Sequence, residues 1–200
     1  MAASYQAPAQ VLEGLLEGNK HWTDADSTVN LSNVATRGEE FVNGQDPNVV
    51  VITCSDSRVI PEFIFDSAMG QLFVIRIAGN IISPEVLASV EFAVDKLNCS
   101  LVLVLGHQNC GAVQGRLDAE PVLSQNQHLE SPNMDQLIQQ IQIVSGGEDQ
   151  YLESIRHNAR YQSEQIPLQS KLVGDRVQAG KVEVKPALYW LESREVEILA

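Results

Sequence analysis

Three uninterrupted apolar runs constrain the fold of this chain more than any other feature of its sequence. They are Val49–Thr53, Leu72–Ile75 and Leu101–Leu105, and none of them alternates with polar residues. Such runs are typical of strands buried on both faces, as occur in parallel sheets covered by helices on both sides. The sequence therefore predicts an α/β fold with a central, mostly parallel sheet flanked by helices.

Helical patterns surround these runs. Apolar residues at helical spacing predict an amphipathic helix over residues 10–22, and Asn33 is a candidate N-cap for a second helix through Val42. Ser83 as N-cap and Pro84 at the first helical position predict a helix between the second and third runs. A strand, a helix and another strand in this order indicate a crossover between parallel strands.

The rest of the chain is predicted to be mostly helical and to end in a hairpin. The expected elements are a short helix over 111–117, a polar loop over 120–132, a helix over 132–144, a helical stretch over 150–178 interrupted at Pro167, and a hairpin of 181–190 with 196–199.

A length of 200 residues fits a single domain, expected over 1–200. Within it we expect an N-terminal helical arm over about 8–44, an α/β core over about 48–120, and a C-terminal helical and hairpin part over about 131–200. No stretch has the composition of an interdomain linker.

The charge balance limits the classes of partner. The chain has 13 Lys and Arg against 26 Asp and Glu, a net charge of −13, whereas a nucleic-acid binder needs a cationic face. No apolar run approaches the roughly 18–20 residues that cross a bilayer, and the N-terminus lacks a signal-peptide pattern. We therefore expect a cytoplasmic protein that binds neither nucleic acid nor membrane.

Two of the three cysteines follow predicted strands. Cys54 comes directly after the first run, while His107 and Cys110 follow the third. Ligands of open α/β sheets bind beyond the carboxyl ends of the strands, so these three side chains are expected in one crevice. Two Cys and one His match a catalytic zinc site that keeps a fourth position for water. The alternative is that they are buried as small apolar groups, which is our interpretation of Cys99.

The segment after Cys54 carries two charged residues. Asp56 and Arg58 are close enough in sequence for a bidentate guanidinium–carboxylate pair, which would keep Asp56 ionised beside the metal. The alternative is a solvated ion pair on the surface, worth about 0–1 kcal/mol.

The motifs together resemble a known family. Cys54-Ser-Asp56-Ser-Arg58-Val, followed by Gly106-His107-x-x-Cys110-Gly111, is similar to the paired signature of the β-class carbonic anhydrases with a plant-type active site. The intervening segment from Gly70 to Asn80 is also similar to that family, and the likeness extends over nearly the whole chain.

The resemblance implies reversible hydration of carbon dioxide to bicarbonate and a proton. It assigns Cys54, His107 and Cys110 to one zinc ion per chain, and Asp56 with Arg58 to a catalytic dyad. It further implies a homodimer or a larger homo-oligomer, with the active-site cleft at a subunit interface and Phe92 supplied by the partner subunit. The residues expected to bind substrate are Gln45, Phe73, Ala78, Phe92 and Gly111.

Two other functions remain open on the sequence. One is hydrolysis of carbonyl sulfide or carbon disulfide on the same fold, although such relatives tend to carry Cys-Met-Asp instead of the Cys-Ser-Asp found at residues 54–56. The other is a non-catalytic zinc or redox protein that uses Cys54 and Cys110. The presence of both Asp56 and Arg58 weighs against the latter, because a structural zinc site has no use for them.

Overall fold

The computed structural model of the chain describes residues 5–24, 44–125, 127, 129 and 131–200. The helix predicted from Asn33 to Val42 lies within residues 25–43, which are outside the described residues. Within the described ranges, no helix combines the length and the apolar character that crossing a bilayer requires.

Five strands form one sheet, and seven α-helices flank it in the described part of the chain. In chain order the elements are α1 (Pro8–Thr23), β1 (Val49–Thr53), α2 (Pro61–Ile64), β2 (Leu72–Arg76), α3 (Pro84–Lys96), β3 (Leu101–His107), α4 (Gly111–Leu123), α5 (Pro132–Gln139), α6 (Gln150–Gln169), α7 (Lys171–Gln178), β4 (Glu183–Tyr189) and β5 (Val196–Ile198).

The sheet has the strand order β2-β1-β3-β4-β5. The first four strands are mutually parallel, and β5 runs antiparallel to β4. This arrangement confirms the predicted mostly parallel sheet, and the pair of β4 and β5 confirms the closing hairpin. All three apolar runs are strands, and every residue of β1 and β3 is buried.

Alternate residues of β1 and β3 face two different helical layers. Val50 and Ile52 pack with α3, whereas Val49 and Val51 pack with α1 and α2. Because both faces are covered, neither strand has a polar side, which is the physical reason for the uninterrupted apolar runs.

Helix α1 docks against the sheet of its own chain. Val11 and Leu15 are buried among the residues of β1 and β3. A side chain at Gly18 would place its Cβ 2.0 Å from the carbonyl oxygen of Phe65, so only glycine permits this approach. The buried Asn19 side chain donates hydrogen bonds to the carbonyls of Ile64 and Arg194. These contacts confirm the predicted N-terminal helix and fix its position.

The predicted start of α3 is confirmed, since the Ser83 hydroxyl accepts the N–H of Val86 and Pro84 occupies the first turn. The predicted end of α4 at residue 117 is wrong, because the helix continues to Leu123 through Pro121. Arg116 forms an ion pair with Glu120 one turn along, and Ala119 is buried. These interactions extend the helix into the segment predicted as a loop.

Helix α5 is shorter than predicted, since it ends at Gln139 instead of continuing to residue 144. The N–H groups of Gln142 and Val144 donate to side chains of α6, Asn158 Oδ1 and Ser154 Oγ, at 3.0 and 3.1 Å. Side chains from another helix therefore replace the carbonyl acceptors that a continued helix would provide.

The predicted interruption at Pro167 is also wrong. Pro167 lies in the last turn of α6, and the break falls at Ser170, which ends α6 and begins α7. The Ser170 hydroxyl accepts the N–H of Val173 at 3.2 Å and so caps α7.

Candidate metal and active site

The carboxyl ends of β1 and β3 bring the three predicted metal ligands together. Cys54 directly follows β1, His107 is the last residue of β3, and Cys110 is the residue before α4. One ligand atom of each side chain lies within 4.8 Å of the other two, and all three residues are buried. Strand ends that meet at one edge of the sheet therefore build the cluster.

The donor chemistry of this cluster fits zinc. The Nδ1 of His107 lies 2.9 Å from the carbonyl oxygen of Gln108, which orients the ring. Its Nε2 is buried and has no hydrogen-bond partner among the described residues. A buried nitrogen without a partner costs free energy unless something binds it, and two thiols stand beside it. Cys and His are preferred zinc ligands, and a set of three leaves the fourth tetrahedral position open.

The two sulfurs of the cluster differ in their ionisation. The Cys110 thiol lies 4.0 Å from the Cys54 sulfur and donates to it. This hydrogen bond lowers the pKa of Cys54 to about 4, against the opposing effect of burial. The same contact with Cys54, together with burial, raises the pKa of Cys110. These contacts favour the thiolate at Cys54 and the thiol at Cys110.

Asp56 and Arg58 form the predicted bidentate pair. The Nε and Nη2 atoms of Arg58 donate to Oδ1 and Oδ2 of Asp56 at 2.9 and 2.7 Å, and the Arg58 backbone N–H donates to Oδ1 at 2.9 Å. These hydrogen bonds hold the pKa of Asp56 well below its usual range. The Oδ2 atom also lies 4.0 Å from His107 Nε2. An ionised carboxylate is therefore held at the edge of the metal-ligand cluster.

Three further residues, which are not among the predicted ligands, dyad or substrate-binding residues, support this site. The Arg76 Nη2 donates to the backbone carbonyl of Asp56 at 2.7 Å, and the Tyr151 hydroxyl donates to the carbonyl of Cys110 at 2.9 Å. The backbone N–H of Gly79 donates to the Cys54 sulfur at 3.4 Å. The Gly79-Asn80 pair within the family-like segment was the one sequence signal for this loop; Tyr151 gave none.

Of the residues expected to bind substrate, some lie beside the metal-ligand cluster in the single chain and others lie apart from it. Ala78 and Gly111 adjoin the cluster, because Ala78 precedes Gly79 and Gly111 follows Cys110. The rings of Phe73 and Phe92 lie 6.4 Å apart, and Phe92 is 50% exposed on α3. Phe73 packs with the core beneath α3, whereas Cys54 belongs to a different group of packed residues.

Gln45 is not brought to the cluster within one chain. It is exposed and precedes the amino end of β1, whereas Cys54 follows the carboxyl end of the same strand. The length of β1 therefore separates the two residues within one chain.

Sequence comparisons identify relatives of this chain. A sequence model of the family described as carbonic anhydrase matches residues 49–196. Carbonic anhydrase 2 of Mycobacterium tuberculosis is 41% identical over 112 residues, which are 56% of this chain and 54% of the relative. A carbonic anhydrase of Synechococcus elongatus is 51% identical over 85 residues, covering 40% of this chain and 31% of the relative. The first of these matches spans about half the length of the curated relative, and the second about a third.

Solved structures share the fold. The β-carbonic anhydrase CcaA superimposes with a TM-score of 0.72 at 25% identity, covering 94% of this chain and 95% of that one. One of two tetrameric β-carbonic anhydrases from Sordaria macrospora gives a TM-score of 0.69 at 18% identity and covers 96% and 98% of the two chains. With a family match over residues 49–196 and this shared architecture, the chain belongs to the β-class of the carbonic anhydrase family.

Proposed function

We propose that this protein catalyses the reversible hydration of carbon dioxide to bicarbonate and a proton. The observation that carries the proposal is an ionised carboxylate, Asp56, whose Oδ2 lies 4.0 Å from His107 Nε2 in the Cys54, His107 and Cys110 cluster. Membership of the family and the names of its relatives support the same reaction.

Cys54, His107 and Cys110 would hold one zinc ion per chain. Zinc in such a site supplies a water molecule whose pKa falls from 15.7 toward about 7, so that a nucleophile is available near neutral pH. The ligands themselves are held before any metal arrives, because Gly79 donates to Cys54, Gln108 accepts from the His107 ring and Tyr151 fixes the Cys110 carbonyl.

Asp56 would orient the attacking oxygen. Its carboxylate is ionised, since the pair with Arg58 lowers its pKa, and an ionised carboxylate accepts hydrogen bonds but does not donate them. Asp56 would therefore accept a hydrogen bond from the attacking water and so turn a lone pair of its oxygen toward the carbon of the substrate. Arg58 also donates to the carbonyl of Asn109 at 3.2 Å and so ties the dyad to the loop between His107 and Cys110.

Carbon dioxide carries no charge, so it would be bound by apolar groups. Phe73, Ala78 and Phe92 have the required character, and Gln45 and Gly111 offer polar groups for bicarbonate. The exposure of Phe92 and the location of Gln45 before β1 favour a site shared between two copies of the chain. We therefore propose a homodimer as the smallest active unit; relatives from Sordaria macrospora are described as tetrameric.

The test is a side-by-side assay of zinc-loaded protein with carbon dioxide and with carbonyl sulfide. We expect rapid hydration of carbon dioxide and little turnover of carbonyl sulfide. In the matched variant Asp56→Asn, zinc content stays near one per chain while hydration falls about 10²–10⁴-fold, the contribution typical of a positioned acid–base group. Zinc-loaded wild-type protein that does not accelerate hydration of carbon dioxide would exclude the proposed reaction. Faster turnover of carbonyl sulfide than of carbon dioxide would instead support the alternative function, a carbonyl sulfide hydrolase.

A further inference from the structure

The loop that follows β2 presents a hydrogen-bond donor to one metal ligand. The N–H of Gly79 points at the Cys54 sulfur at 3.4 Å, and the contact is buried. A hydrogen bond to the charged form of a group stabilises that form, so this N–H stabilises negative charge on the sulfur. The position of a single backbone N–H thus affects the electron density that Cys54 can give to a metal.

Gly79 itself has no side chain with which to hold this loop in place. Its φ is +71°, in the left-handed region, and an added Cβ would lie 2.6 Å from Ile141 Cδ1. Both observations require glycine at this position. The support for the Gly79 peptide must therefore come from elsewhere in the chain.

Asn158 on α6 provides that support. Its Nδ2 donates to the carbonyl oxygen of Gly79 at 2.8 Å, across 79 residues of sequence, and the residue is 1% exposed. The N–H of Gly79 is thus hydrogen-bonded to the Cys54 sulfur, and its carbonyl oxygen is hydrogen-bonded to Asn158.

The orientation of Asn158 is fixed by a second buried amide. Asn158 Oδ1 accepts the N–H of Gln142 at 3.0 Å and Nε2 of Gln162 at 3.2 Å. Gln162, one turn further along α6, also donates to the carbonyl of Gln140 and accepts the N–H of Ile82 at 2.8 and 2.9 Å. The donors and acceptors around the two amides allow only one way of placing their oxygen and nitrogen atoms.

We propose that Asn158, held by Gln162, is a positioning residue of the metal site: it keeps the Gly79 N–H on the Cys54 sulfur and so sets the affinity of the site for zinc. The inference rests on the proposed function only in that Cys54 binds the metal. Replacing a residue that orients metal ligands without itself contacting the metal typically lowers metal affinity or activity by about 10–100-fold.

The test compares variants at three buried polar positions of α6. Asn158→Leu keeps the approximate volume and removes the bond to Gly79. We expect its zinc affinity, measured by competition with a chelator, to fall about 10-fold or more, and the amide hydrogen of Gly79 in the metal-free protein to exchange at least about 10-fold faster. Gln162→Leu leaves the hydrogen bond between Asn158 and Gly79 in place but removes one of the two donors that orient Asn158. The loss of zinc affinity and the acceleration of exchange at Gly79 should therefore both be smaller than in Asn158→Leu.

Ser154→Ala is the matched control. Ser154 is fully buried on the same helix and accepts the N–H of Val144 at 3.1 Å, so its loss weakens the same neighbouring segment without touching Gly79. We expect wild-type zinc affinity and wild-type exchange at Gly79 in this variant. Equal losses of affinity in Ser154→Ala and Asn158→Leu would overturn the proposal, as would unchanged exchange at Gly79 in Asn158→Leu.

If Asn158→Leu does not fold, Gln162→Leu decides the question against the same control. Weaker zinc binding with faster exchange at Gly79 supports the positioning role, and wild-type values overturn it. Neither measurement uses a substrate. A protein that binds zinc as expected but does not hydrate carbon dioxide would therefore disprove the proposed function and leave this inference standing.

Discussion

Two buried cysteines at opposite ends of the sheet show how differently the same side chain can behave. Cys54 follows the carboxyl end of β1 and is 5% exposed; Cys99 precedes the amino end of β3 and is 1% exposed. The pKa of Cys54 is lowered to about 4, whereas burial raises the pKa of Cys99 to about 12.

The partners of the two sulfurs explain the contrast. Cys54 receives hydrogen bonds from the Cys110 thiol and the Gly79 N–H, which favour the thiolate. Cys99 instead donates its S–H to the carbonyl of Pro47 at 3.3 Å, which favours the thiol. Burial alone therefore does not decide whether a cysteine is reactive or inert, because the hydrogen-bonding groups around it set its charge.

The largest expected effect is a difference in zinc content between variants of the two cysteines. Cys54→Ser should reduce zinc from about one per chain to near zero, since one of three ligands is lost, and should abolish hydration of carbon dioxide. Cys99→Ser should retain both. Zinc analysis by atomic absorption on the purified variants checks this, and equal zinc content in the two variants would contradict it.

The second prediction concerns thiol reactivity in metal-free protein. Because the pKa of Cys54 is about 4, its thiolate is fully formed throughout pH 6–8, so its rate of alkylation should be independent of pH in that range. For an ordinary thiol with a pKa of about 8.5, the rate would rise nearly tenfold for each unit by which the pH increases toward that value. Mass spectrometry of alkylated peptides should show Cys54 modified and Cys99 protected.

A tenfold rise in the rate of Cys54 alkylation per pH unit would show that the thiol is not ionised.

The shifted pKa of Cys54 also makes the stability of the fold depend on pH. The depressed pKa of Cys54 stabilises the fold, and this contribution is lost progressively as the pH falls from the unfolded value of about 8.5 toward 4, whereas above about 8.5 the raised pKa of Cys110 opposes it.

The third prediction tests the donor beside Cys54. Gly79→Ala should lower the free energy of unfolding by about 2–5 kcal/mol, since alanine is strained at φ +71° and its Cβ would overlap Ile141. The control is Gly14→Ala in the exposed part of α1, where an added Cβ meets nothing within 4 Å. That variant should gain about 0.5–1 kcal/mol. Urea unfolding measures both, and a neutral Gly79→Ala would disprove the packing argument.

The smallest effect is expected at the other end of the sheet. Cys99→Val keeps the apolar packing of Cys99 and removes only its weak bond to the Pro47 carbonyl. The cost should be below about 1.5 kcal/mol, with unchanged zinc content and activity. A loss of zinc in this variant would mean that the two ends of the sheet are coupled, and it would break the contrast between the two cysteines.

Much of the fold and of the metal-ligand cluster could be predicted from local sequence. The apolar runs correctly located β1, β2 and β3, and the clustered Cys54, His107 and Cys110 lie within five residues after the ends of two of these runs. The predicted ends of helices were less accurate. The ends of α4 and α5 depend on the Arg116–Glu120 pair and on acceptors from α6, which apolar periodicity does not report.

The sequence by itself determined the buried parallel strands and the placement of the ligands at their ends, because burial on both faces leaves an apolar run and the ligands follow such runs within a few residues of the chain. Only the tertiary structure decided which cysteine is a thiolate, and that Gly79, Tyr151 and Asn158 support the site. Those hydrogen bonds join residues such as Asn158 and Gly79, 79 positions apart. They exist only once α6 packs against the ends of the strands, and no pattern of neighbouring residues encodes that contact.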